Sequence, residues 1–148
     1  KYLERDDMPA TDPYIIAINS FKIGYPLDSD PSYIIQAVFP IGVPTIWINP
    51  RTGKKLREGY QHRTEIIKTK GSKVETDIFL QDKYKGISAV IYSEIWPYEY
   101  PSRLGSRIRL VHNPKAINRV KNGWLSTGIE YNLDDNEIKE INWNLKNH

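Results

Sequence analysis

His62, Asp77 and His112 are the side chains of this 148-residue sequence whose chemistry suits a self-contained catalytic site. Imidazole titrates near neutrality and serves as a general base. The histidine spacing makes no ligand set: His62 lies in Gln61-His62-Arg63, His112 precedes Asn113-Pro114, and His148 is terminal. Each histidine has a plainer reading as a surface or structural residue, and His112-Asn113-Pro114 reads as the turn that closes a strand. Catalysis by this trio requires all three side chains to converge in one pocket.

Metal-dependent phosphodiester hydrolysis needs clustered carboxylates around Mg²⁺, often with a nearby Lys. The sequence has one Glu-x-Lys, Glu137-Ile138-Lys139, in a stretch with Asp134 and Asp135 that reads as solvated. Glu75 and Asp77 alternate and share a cation if they point the same way on a strand, whereas the plainer reading is a polar turn with a helix cap at Thr76 or Asp77. No metal site is expected. A Gly-rich phosphate loop, a Gly-x-Ser-x-Gly elbow and a His-Glu-x-x-His motif are all missing, which removes several large nucleotide-enzyme and hydrolase classes. No cofactor is evident.

Cations beside aromatics form the other constellation. Arg103, Arg107 and Arg109 accompany Trp96, Tyr98 and Tyr100, a mixture found in single-stranded nucleic-acid grooves and equally in core aromatics beside surface arginines. Arg63, Lys68, Lys70 and Lys73 surround a polar bend at Gly71. The candidate nucleic-acid contacts are therefore Arg63, Lys70, Arg103, Arg107 and Arg109. The net charge of +3 and pI near 9.0 are too mild to name a partner by themselves.

The elements that must position these residues are mostly strands. Tyr14–Asn19 is a short apolar, β-branched run and predicts a buried central strand. Asp30 as N-cap and Pro31 at the first helical position predict a short helix with Ile34, Ile35, Val38 and Phe39 on its apolar side, ended by Pro40 and Gly42. Thr45–Ile48 is β-rich, Asn49–Gly53 is a hairpin turn, and Tyr60–Ile67 reads as a strand. Thr76-Asp77 opens a brief helical segment. Ile87–Ser93 reads as a second buried strand, Arg107–His112 as a half-buried one, and Gly128–Leu133 as the last core strand, with Glu137 to Trp143 returning as a hairpin partner. The expected fold is α+β, with a mixed or mainly antiparallel sheet and a few short helices.

The length suits one domain over residues 1–148, and 39% hydrophobic residues with ten Tyr and four Trp argue for a folded core. The longest apolar runs fall far below the roughly 20 residues of a bilayer crossing, so no membrane partner is expected. The polar first residues carry no secretory pattern, and the lack of Cys fits a reducing compartment. These features predict a cytoplasmic protein. A protein partner or a homo-oligomer stays open.

Asp12-Pro-Tyr-Ile-Ile-Ala-Ile-Asn19, Thr76-Asp-Ile-Phe-Leu80, Gly86-Ile-Ser-Ala-Val-Ile-Tyr-Ser93, His112-Asn-Pro-Lys-Ala116, Gly123-Trp124 and Glu130-Tyr131 follow one another in an order that resembles a family of uncharacterised bacterial proteins. The resemblance covers most of the chain and places it as the C-terminal region. It implies an upstream restriction-endonuclease-like core of the PD-(D/E)XK type, with Lys1 to Glu4 as the end of that core's helix. The nuclease carboxylates and Lys, and any Mg²⁺, would then belong before Lys1. The function expected from the resemblance is the C-terminal portion of a protein that acts on nucleic acid. The alternative is a non-catalytic module that binds protein or nucleic acid.

Overall fold

A computed structural model describes residues 11–21, 31–95, 98, 105–135 and 137–142. In chain order the elements are β1 (Ile15–Asn19), α1 (Tyr33–Val38), β2 (Ile41–Ile48), β3 (Lys55–His62), β4 (Glu65–Ile67), β5 (Lys73–Glu75), β6 (Ala89–Ser93), β7 (Ile108–His112), β8 (Ile129–Asp134) and β9 (Glu137–Asn142), with short 3-10 turns between some of them. The fold is α+β. Two compact units form, one from Pro26–Ile78 and one from Lys1–Tyr25 with Phe79–His148.

The larger unit is built on a mixed sheet of order β1-β6-β7-β8-β9. β1 runs parallel to β6, β6 antiparallel to β7, β7 parallel to β8, and β8 antiparallel to β9. Paired residues share a face, so Ala89, Ile91, Leu110, His112 and Glu130 look the same way. Ala89 and Leu110 are buried there with Val120, and Ile15, Ile91 and Leu125 pack against them. Val90, Tyr92 and Val111 are buried on the opposite face. Burial on both faces explains why β6 and β7 are apolar at successive positions.

The Tyr14–Asn19 run forms its strand, yet among the described residues β1 ends the sheet order instead of occupying its centre, and Ile18 is 42% exposed. A continuous apolar run records hydrophobic contact and does not reveal whether a partner lies on each side. The parallel step from β7 to β8 requires a long crossover. Here residues 113–128 supply it without a helix, held by side-chain hydrogen bonds described below. The β8–β9 hairpin forms as expected, with Asp135 at φ 49 in its turn. No helix among the described residues is long and apolar enough to cross a membrane.

In the smaller unit, α1 buries Ile34, Ile35 and Val38 as its spacing predicts. Its N-cap is Ser32, so Pro31 precedes the helix rather than opening it, while Asp30 lies outside the described residues. β2 starts at Ile41 and contains Gly42 and Pro44; Pro44 is accommodated because, among the described residues, β2 pairs only with β3, with a register shift before it. The Tyr60–Ile67 segment divides between β3 and β4. A hydrogen bond from Arg63 N–H to Pro40 O at 2.9 Å marks the break, and β4 then pairs with β5.

Candidate functional site

At the end of β7, His112 Nε2 lies 3.1 Å from Glu130 Oε2. Both side chains are buried, Glu130 completely. Register explains the meeting: Glu130 stands opposite Leu110, one same-face step from His112. The Glu130 carboxylate also accepts the backbone N–H of Gly123 at 2.9 Å and of Leu125 at 2.8 Å. An ionised carboxylate only accepts, so His112 meets it with a ring N–H, and the three converging donors give the imidazole a fixed orientation. Nδ1 has no hydrogen-bond partner among the described residues.

Asn113, next in sequence, is 2% exposed. Its amide donates to Ile87 O at 2.8 Å and to Tyr84 O at 3.1 Å, and its Oδ1 accepts Lys115 N–H at 2.9 Å. This is the turn expected after His112, with the side chain also tying the crossover to the segment before β6. A cavity of about 520 Å³ opens beside these residues. His112, Arg119, Asn122, Asn132, Asp134 and Lys139 supply polar groups to its wall, and Pro114, Val120 and Leu133 supply apolar ones.

The smaller unit carries a different arrangement. β2 and β3 pair as a two-stranded ribbon closed by Asn49–Gly53, where Asn49 Oδ1 accepts the N–H of Arg51 at 2.9 Å and of Thr52 at 3.2 Å. Gly53 takes φ 66, which a residue with a Cβ adopts at a cost. Arg51, Lys54, Lys55 and Arg57 are exposed at and beside this turn. Lys55 pairs with Glu58, and the Arg57 guanidinium lies 4.0 Å from the centre of the Trp47 ring. The β4–β5 turn exposes Lys68 and Lys70, and Lys73 pairs with Glu65 at 2.7 Å.

Of the residues singled out in the sequence, His62 and Asp77 fall in the smaller unit and His112 in the larger one. His62 is exposed at the end of β3. Lys70 is exposed, whereas Arg63 is half-buried and donates to Gln36 O at 3.3 Å. Arg109 is mostly buried, bound to Glu94 at 3.0 Å, and Arg107 is half-buried in a 3-10 turn. Arg103, Trp96 and Tyr100 lie outside the described residues, and Tyr98 is exposed. Beside the Arg109–Glu94 pair, Ser20 Oγ donates to the Tyr92 hydroxyl at 2.7 Å. Burial pushes the Tyr92 phenol above its ordinary value, and Glu94 adds to the rise.

Glu130 and the ribbon cations were not among the sequence candidates, although both left a trace. Glu130 is a lone carboxylate inside an expected core strand, and Arg51, Lys54, Lys55 and Arg57 crowd an expected hairpin turn. Among the described residues no three His, Asp or Glu side chains group as a metal centre. No protein-family model, curated protein or solved structure matches the chain.

Proposed function

We propose that this chain binds nucleic acid as the C-terminal portion of a restriction-endonuclease-like protein, with the β2–β3 and β4–β5 hairpins as its contact surface. The observation that carries the reading is the concentration of charge. Between Ile41 and Lys73, eight Lys or Arg stand against two Glu, in a chain whose net charge is only +3. The exposed cations gather at the two hairpin turns, where phosphates can approach without displacing packed side chains.

The ribbon's form favours a duplex over a single strand. A major groove admits a two-stranded ribbon, whereas single-strand platforms offer open aromatic faces for bases to stack on. The Trp47 ring is engaged by Arg57 and lies across Gly59, where an added Cβ would sit 3.5 Å from it. Most of the ribbon's other exposed apolar groups, Val43, Ile46, Ile48 and Leu56, are aliphatic.

The test is fluorescence anisotropy with a labelled DNA duplex over a series of salt concentrations. Wild-type binding should weaken steeply with salt, and replacing Arg51, Lys54, Lys68 and Lys70 together by Ala should lower the affinity and flatten the log–log salt slope, by up to about 0.9 per lost phosphate contact. Binding that the four substitutions leave intact would refute this surface. The nuclease half of the proposal is tested by the complete reading frame, which should encode an acidic residue and a Glu-x-Lys or Gln-x-Lys before Lys1. A natural start at Met8 would sink it.

A further inference from the structure

The cavity beside β7 belongs to the larger unit, and its wall is rich in donors. Arg119 uses one N–H on Pro114 O at 2.6 Å, which leaves four of the five N–H groups of its guanidinium. Lys139 is tied to Asp134, so the two charges offset each other while the ammonium keeps further N–H donors. Asn122 and Asn132 add amide groups, and His112 lines the same space. Glu140 is the carboxylate on the wall without an ion pair among the described residues. A cavity of about 520 Å³ falls in the size range of small-molecule sites.

We propose that this cavity binds a small molecule bearing a phosphate or carboxylate group, with His112 as a hydrogen-bonding partner whose ring is positioned by Glu130. An oxyanion matches the excess of N–H donors, and Pro114, Val120 and Leu133 provide an apolar wall for the rest of the ligand. The carboxylate–imidazole pairing follows the logic of sites in which a buried acid fixes one ring nitrogen and leaves the other for a ligand. Glu130 does not reach the ligand in this arrangement. It acts through His112.

The probes are inorganic phosphate and acetate, followed by imidazole ¹H–¹⁵N NMR of the full chain with sodium chloride at matched ionic strength as the reference. His112 should shift saturably with at least one probe and stay unmoved by chloride, while the exposed His62 responds to neither beyond the chloride effect. Phosphate responding alone identifies a phosphoryl site, and acetate responding alone a carboxylate site. Arg119→Gln and Lys139→Gln, both at exposed positions, should each weaken the saturable response tenfold or more with the circular dichroism spectrum unchanged. A His112 signal that follows ionic strength only, or a saturable response that both variants retain at wild-type affinity, overturns the proposal.

Discussion

Glu130 is the residue on which the larger unit most depends for its polar order. Its carboxylate gathers His112 and two backbone N–H groups at a position with no exposure to water. Glu130→Gln places an amide N–H₂ among donors and leaves buried groups unpaired, which should cost about 3 kcal/mol in urea unfolding. Arg109 presents a related case: Arg109→Ala strands the buried Glu94, so its main effect should be a loss of roughly 3 kcal/mol of stability, with nucleic-acid affinity of the folded fraction retained. Tyr92 gives a pH signature. Its folded-state value is raised, so the phenol is protonated in both states well below pH 10, its ordinary value. As pH climbs past that value the unfolded chain ionises first, and the folded state loses stability until the folded value is passed. The stability advantage of wild type over Tyr92→Phe should therefore shrink above about pH 10 in denaturant titrations.

At the scale of elements, the β7–β8 junction is the most sterically exacting. Gly128 has φ 126, and a Cβ there would lie 2.8 Å from the Ile108 carbonyl oxygen and 2.7 Å from Leu125 Cδ2. Gly53 also has positive φ but meets nothing within 4 Å. Gly53→Ala should cost about 1 kcal/mol from backbone conformation alone, and Gly128→Ala more than about 2 kcal/mol, because strain and collision add. Thermal unfolding of the two variants separates these contributions. The same junction shows what periodicity conveys. Gly128–Leu133 reads as a core strand and is one, but the alternation of Ile129, Glu130 and Tyr131 does not reveal that a carboxylate faces the apolar cluster. Only pairing with Leu110 and coverage by residues 120–125 place it there.

For the whole molecule, the overall charge conceals its distribution. A net +3 is unremarkable for a chain of this size, while the segment from Ile41 to Lys73 is strongly cationic. Raising ionic strength should thus weaken nucleic-acid binding far more than it alters folding, since salt screens the buried ion pairs little and the exposed ion pairs contribute little. Parallel salt titrations of anisotropy and of the thermal midpoint check this. A thermal midpoint that fell as steeply as binding would assign the cations a structural role.

The α+β class, α1, the Asn49–Gly53 turn, the strong strand at β6 and the β8–β9 hairpin were all legible in sequence, because each depends on local periodicity or on turn chemistry. The turn after His112 was legible too. The edge position of β1, the division of the chain into two units, the Glu130 contact and the engagement of Arg63 and Arg109 were decided by tertiary structure. These depend on which distant segments meet. Charge, size and periodicity record what a side chain needs, and the pairing of strands far apart in sequence determines which neighbour supplies it.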